Sequence, residues 1–426
     1  IGTMKLKDVV IHKYKSFESE QKFSLEDDIT ILVGMNESGK TSALETIAKT
    51  NYFQDDEDFK FNTTHDYPRK EKKAMDKSGE IPEAITCTYE IDTNTIALVE
   101  KDMCKGIIKS TTFTLTTKYD NKRVISFVVD GKKFIEHKTK ELDISSEAIN
   151  GKLFKVKNKA DLDVLIKEYS EEKYVTGLKS LEPYFQNTNG WSSDPIGEYI
   201  YRKYISPRRP KFLYYDEYYT LPSRISIENL QNQSLDANEY KTAKALFELA
   251  DINTDDILKS DDFESFVAEL EATEAIISGE LFKYWQTNKN LSITFHIDKK
   301  ERTDNRGTHV VDHILDIRVK NKGVSLPLKN RSKGFNWFFS FLVWFKKIQE
   351  DKSSNYILLL DEPGLNLHAS AQADLLRFLE DLSKDYQIIY TTHSPFMISS
   401  DKLQRVRTVL ETDKGSIISD SVQEKD

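Results

Sequence analysis

Near the start of the chain, Gly34-Met35-Asn36-Glu37-Ser38-Gly39-Lys40-Thr41 has the spacing GxxxxGK[ST]. Glycines in such a loop let the backbone wrap closely around phosphate oxygens, and the helix that follows offers unpaired amides to negative charge. Lys40 would reach the β- and γ-phosphates of a nucleotide, and the Thr41 hydroxyl would hold Mg²⁺. With Gly34, Asn36, Glu37, Ser38, Gly39 and Ser42, these form the candidate nucleotide-binding set. Far downstream, Ile357-Leu358-Leu359-Leu360-Asp361-Glu362 is an apolar run ending in adjacent carboxylates, the pattern of a Walker B strand. There the first carboxylate, Asp361, would sit near Mg²⁺, and the second, Glu362, could orient or deprotonate an attacking water. A second carboxylate separates an ATP hydrolase from a small-molecule kinase, which needs only the first. His393 follows in Tyr390-Thr391-Thr392-His393-Ser394-Pro395, at the end of another apolar run, where it would face a γ-phosphate if the strands are neighbours. Ser332-Lys333-Gly334 opens an aromatic segment just ahead of Walker B; by itself it reads as a helix N-cap.

These residues need a parallel sheet to hold them. A continuous apolar run such as 357–360 predicts a strand buried on both faces. Short strands are predicted through LKDVVIHKYKSF and KFSL, a buried strand over 29–33, and a helix over 40–49. Residues 51–80 are polar and read as an irregular excursion. Between 84 and 134, the alternation in ITCTYEI, TTFTLTTKY, RVISFVVDG and KKFIEH predicts a meander with turns at Asp120-Asn121 and Asp130-Gly131. Helical spacing covers 160–172 and 228–288, with a polar turn over 253–256. Strands return in LSITFHID and VVDHILDIRVK, followed by a buried helix over 334–348, a helix over 368–382, and a terminal pair in RVRTVLE and GSIIS.

The chain has 426 residues with 38% apolar and 31% charged, and its 20 Tyr and 23 Phe supply bulky core material. The formal charge of −9, from 61 basic against 70 acidic residues, opposes a globally basic nucleic-acid binder. Local basic groups remain: Lys122 and Arg123 with Lys132 and Lys133; Arg208, Arg209 and Lys211; and the run 320–333. Such groups are more often solvated faces than binding sites. Cys87 and Cys104 lack metal-knuckle spacing and read as two thiols. With no run of about 20 apolar residues and no signal-like start, a cytoplasmic chain with no membrane partner is expected. Residues 1–3, before Met4, read as a tag remnant.

The order of P-loop, S-x-G, Asp-Glu-Pro and strand-end histidine resembles the ABC-type ATPases of the SMC-like group. IHKYKSF is similar to that group's opening strand and turn, so Lys15 would be a basic residue near the nucleotide. In that group two heads sandwich ATP, and the resemblance implies that Ser332, Lys333 and Gly334 act in trans. RSKGFNWFFSFL, LLLDEPGLNLHASAQADLL, TTHSPFMIS and PKFLYYDEYYTLPSRI resemble the OLD family, in which such an ATPase is usually continued by a Toprim nuclease and is associated with anti-phage defence. The resemblance is good over 4–50 and 205–426 and poor over 51–200. It would start the Toprim domain where VQEKD ends this sequence, so no nuclease site is expected in this chain.

The expected fold is therefore α/β: an ABC-type P-loop ATPase head, a mixed sheet with an antiparallel β subdomain and helices, carrying an inserted, mainly helical subdomain. The expected division is 4–50 and 290–426 as ATPase core, 51–150 as antiparallel or irregular insertion, and 151–290 as helical insertion and dimerisation region. ATP and Mg²⁺ are the implied cofactors, and a homodimer or higher oligomer through the heads, a nuclease domain or subunit, and DNA are the candidate partners. The expected function is an ATPase whose ATP-dependent dimerisation regulates a Toprim-type nuclease. The alternative is a DNA-repair ATPase that clamps duplex DNA.

Overall fold

A computed structural model of the chain describes residues 2–216, 220–231, 238–251, 263–284, 291–330 and 333–420. Its contacts divide into two compact units, Ile1–Asp27 with Glu57–Lys211, and Asp28–Asp56 with Phe212–Asp426. The fold is α/β, with mixed and antiparallel sheets and many helices. Among the described residues no helix is long and apolar enough to cross a membrane.

The first unit is built on five antiparallel strands in the order Gln21–Ser24, Lys5–Ile11, Glu83–Glu90, Thr112–Lys118 and Arg123–Ser126. The opening residues therefore join the meander, whereas the sequence grouped them with the ATPase core. The expected turn at Asp120-Asn121 is present, with Asn121 at φ 63° between paired strands. The expected strand KKFIEH is instead the helix Gly131–Glu141. Asp130 is its N-cap and accepts a hydrogen bond from the Lys133 amide at 3.1 Å, so Asp130-Gly131 starts a helix and turns no hairpin. Phe134, Ile135 and Thr139 then fall on one buried face.

The second unit holds a six-stranded sheet in the order Gly415–Ser419, Val406–Thr412, Ile29–Val33, Ile388–Thr392, Tyr356–Leu360, Lys211–Tyr215. The strands Val406–Thr412, Ile29–Val33, Ile388–Thr392 and Tyr356–Leu360 are parallel neighbours in that order. Ile388–Thr392 is buried at every residue and Ile29–Val33 at four of five, as strands covered on both faces must be. The edge strand Lys211–Tyr215 lies inside the stretch expected to be a helical insertion. Helices Asn238–Leu249 and Phe263–Tyr284 lie in the stretch 228–288 read as helical, and the turn expected over 253–256 lies outside the described residues. A second antiparallel sheet includes the long pair Leu291–Thr303 and His309–Asn321.

The helix Lys333–Glu350 fills the core beneath the site. Trp337, Phe341 and Phe345 stack in succession along it, and Phe378 of the helix Ala369–Leu382 meets Phe341 and Phe345 edge-on. Each ring so buried contributes about 2 to 3 kcal/mol. Leu358, Leu360, Ile388 and Tyr390 complete the same cluster, so the strands that carry the chemistry are fixed by the core under them.

Arg405 ties this layer together: 5% exposed, it bonds Asp28 at 2.6 Å, just before the P-loop strand, and also Glu380 on Ala369–Leu382. For both carboxylates burial pulls the pKa up, but hydrogen bonds, with those from Arg405 prominent, outweigh it and leave both below their ordinary values. A folded-state pKa below the unfolded value gives stability that is present above about pH 4 and lost as pH falls through the depressed values. Arg405→Met should lower unfolding stability by about 2 kcal/mol at pH 7, the carboxylates being partly solvated. Urea unfolding of both proteins should show that gap narrowing at pH 3.

Candidate active site

Parallel pairing aligns three strand ends at one edge. Val33 pairs with Thr392 and Leu360 with Tyr390, so the P-loop, Asp361 and His393 follow their strands on the same side. The Gly34 amide donates to Thr392 O at 3.3 Å, which fixes the start of the loop beside His393. A Cβ on Gly34 would lie 2.4 Å from Val409 O, so only glycine lets the loop approach the neighbouring strand. Gly39 caps the helix Lys40–Ala48 at φ 111°, in the left-handed region, and Glu37 sits at φ 65°. Ser38 is buried with its hydroxyl lacking a protein partner, while its carbonyl accepts from Ser416 Oγ at 2.6 Å. A loop of this shape with an unsatisfied hydroxyl fits a polyphosphate. Asn36 is exposed at its crest and Ser42 half-buried beyond Thr41.

Lys40 is 5% exposed, and its ammonium donates to Gly34 O at 2.6 Å and to Glu362 Oε1 at 2.7 Å. Thr41 Oγ1 donates to Asp361 Oδ2 at 2.8 Å. Thr391 Oγ1 donates to Asp361 Oδ1 at 2.7 Å and accepts from the Glu362 amide at 2.8 Å. Glu362 is held at φ 47°, a conformation costing about 1 kcal/mol. His393 Nδ1 lies 3.1 and 3.2 Å from its two carboxylate oxygens. Burial raises the Asp361 pKa, hydrogen bonds from Thr391 and Thr41 oppose this, and the charges of Glu362 and Glu45 add to the rise. A carboxylate so crowded by negative charge, beside a hydroxyl, suits a hard cation. Mg²⁺ is commonly held by one or two carboxylates together with substrate phosphates. Among the described residues, no cluster of three His, Cys, Asp or Glu forms a cation cage by itself.

Two cavities meet at Glu362. One of about 660 Å³ is lined by Thr41, Glu45, Asp216, Lys333, Gly334 and Asp361, and one of about 310 Å³ by His393, Gln372 and Phe396. Lys333 and Gly334 thus share a cavity with Asp361 within one chain; Ser332 lies outside the described residues. Lys15 belongs to the first unit, in a turn at φ 48°, with its ammonium 5.3 Å from the Tyr14 ring. Its assignment to the nucleotide rests on the resemblance alone.

Sequence reasoning missed three residues here. Gln372 ties the loop after Glu362 to the loop after His393, through Gly364 O at 2.9 Å and Ser394 Oγ at 3.4 Å. Asp216 follows LYY as Asp361 follows LLL on the neighbouring strand, a repetition of pattern that could have flagged it. Thr391 carried no signal, because a threonine in a buried strand reads as strand material. Thr391→Val should raise the Mg²⁺ concentration for half-maximal activity by about tenfold, with Thr391→Ser restoring most of it; a magnesium titration of phosphate release checks this.

The family model for the AAA ATPase domain matches residues 4–398. A probable ATPase of retron Vc95 from Vibrio cholerae is 21% identical over 96% of this chain and 74% of its own length. The Old nuclease of Escherichia phage P2 is 36% identical over 19% of this chain and 14% of its own. An uncharacterised protein of Methanocaldococcus jannaschii is 33% identical over 30% of this chain, which covers 32% of that relative. Among solved structures, the Smc head domain of Pyrococcus furiosus bound to the C-terminal domain of ScpA aligns with 98% of this chain and 96% of its own, at 13% identity and a TM-score of 0.42.

Proposed function

The chain belongs to the AAA ATPase domain family, and on that premise we propose that it hydrolyses ATP with Mg²⁺ and that its nucleotide state pairs two heads and gates a nuclease in anti-phage defence. The observation that carries the ATPase reading is the convergence of Lys40, Thr41, Asp361, Glu362 and His393 at one sheet edge. When the phosphates of ATP enter the loop, Lys40 turns its donors from Gly34 O and Glu362 to the β- and γ-phosphates, and Glu362 is freed. Thr41 and Asp361 would hold Mg²⁺, which neutralises phosphate charge when bound. Glu362 takes a proton from water as the water oxygen bonds to the γ-phosphorus. The bond from that phosphorus to the β–γ bridging oxygen breaks, and its electron pair leaves with ADP. His393 keeps the Glu362 carboxylate aimed at the water.

The pairing of heads is supported by apolar exposure around the site. Met35 on the P-loop is 79% exposed, Phe396 after His393 64%, and Leu365 after Glu362 46%. Apolar side chains ringing a polar centre suit burial against a second head. The nuclease half draws on the relative named Old nuclease and on the OLD-like flanks of Walker B. Light scattering should show the 49.3 kDa chain approaching twice that mass with a slowly hydrolysed ATP analogue and Mg²⁺. A chain that stays monomeric at saturation would remove the pairing, and absence of phosphate release would remove the hydrolysis.

A further inference from the structure

Two of the basic groups singled out in the sequence, around Arg123 and around Arg209, come together in the first unit beside a cavity of about 770 Å³. The strand Arg123–Ser126 forms one wall, and residues 189–206 supply the others. Arg123 and Arg202 line it; Arg209, 9% exposed, donates to the hydroxyl of the lining Tyr201 at 3.0 Å. Arg202 is held by the wholly buried Glu198, which accepts from its Nε at 2.7 Å, yet Arg202 Nη2 is buried with no protein partner. Glu198 Oε2 is likewise unpartnered, and Asp194 spends one carboxylate oxygen capping the Gly197 amide. The guanidiniums of Arg123, Arg202 and Arg209 and the carboxylates of Glu198 and Asp194 thus meet around this one cavity. Desolvation, then the like charge of Arg209, lowers the pKa of Arg123, although the residue as a whole is exposed. Guanidiniums crowded in this way gain from an anion between them.

The aromatic residues Trp191 and Tyr201 also line the cavity. Trp191 lies 5.7 Å from Tyr201 at an interplanar angle of 36°. Its backbone is clamped by Asn187, which accepts from the Trp191 amide at 2.9 Å and donates to its carbonyl at 2.7 Å. Tyr201 opens a turn of π-helix, Tyr201–Ile205, a conformation that recurs at functional sites. Asn189 and Ser193 add polar groups at the rim. The volume falls inside the range of about 300–1,000 Å³ typical of small-ligand sites. We propose that this cavity binds a nucleotide distinct from the hydrolysed ATP, its phosphate on Arg123 and Arg202 and its base against Trp191. The nucleotide could arrive free or as one residue of a single strand, because the two share this chemistry.

The test uses the full chain loaded with one equivalent of a non-hydrolysable ATP analogue and Mg²⁺ to fill the P-loop, titrated calorimetrically with AMP and, separately, with a short oligodeoxyadenylate. A further equivalent of binding is expected, about tenfold weaker in Arg123→Gln and in Trp191→Leu, with analogue binding unchanged in both. Tighter binding of the oligonucleotide than of AMP assigns a strand; equal or weaker binding assigns a free nucleotide. No binding beyond the analogue, undiminished binding in Arg123→Gln, or orthophosphate binding as tightly as AMP overturns the proposal. The exposed Arg123 carries the test if Trp191→Leu misfolds, and analogue binding reads the ATPase site separately.

Discussion

Glu362→Gln should bind ATP as the wild type does but hydrolyse it about 10² to 10⁴ times more slowly, a loss of roughly 3 to 5 kcal/mol of transition-state stabilisation. The amide keeps the shape of the carboxylate, and its oxygen can still accept from Lys40, which now bonds Glu362 Oε1 at 2.7 Å. The backbone amide of residue 362, bonded to Thr391 Oγ1, is untouched by the side-chain change. What the variant lacks is a group able to take the proton from water. Binding and chemistry should therefore separate: nucleotide affinity within a few-fold of wild type, single-turnover phosphate release nearly abolished, and, on the pairing model, closed dimer accumulating in ATP. Turnover equal to wild type would remove Glu362 from the role of base and leave Asp361 and His393 to account for the water. His393→Ala should give a milder defect, because His393 positions Glu362 and accepts no proton in the proposed step.

The candidate site was legible because its residues sit where sequence patterns are strongest. A mostly apolar run buried on both faces and broken by a glycine or a charged or polar side chain marks a strand end in a parallel sheet, as Gly34, Asp361 and His393 do after Ile29–Val33, Tyr356–Leu360 and Ile388–Thr392. What the sequence hid was long-range. Nothing in the spacing of 5–11 says that it pairs with 83–90 rather than with the P-loop strand, since both pairings bury alternate residues. The helix Gly131–Glu141 read as a strand because KKFIEH is too short to separate the two periods, and only its Asp130 cap decided the matter. Thr391 and Gln372 act through hydrogen bonds to loops distant in sequence, which no local pattern encodes.

Lys40→Ala should lower turnover by about 10²-fold or more, since it removes the buried cation that would face the transferred phosphoryl group. Its larger use is to decide where Ser332-Lys333-Gly334 acts. The resemblance assigns these residues to the partner head, whereas Lys333 and Gly334 line a cavity with Thr41 and Asp361 of their own chain. Ser332→Arg should also be inactive under either arrangement, so neither variant alone separates them. An equimolar mixture does. If the signature acts in trans, a mixed dimer has one site combining the intact P-loop of the Ser332→Arg chain with the intact signature of the Lys40→Ala chain. With random pairing, half the dimers are mixed and half their sites work, so roughly a quarter of wild-type activity should return. If the signature acts within its own chain, every site in every dimer carries a lesion and the mixture stays as inactive as its parts. Phosphate release measured after mixing thus reads the architecture directly, and a null result would move Lys333 and Gly334 from the dimer interface to the cavity they already line.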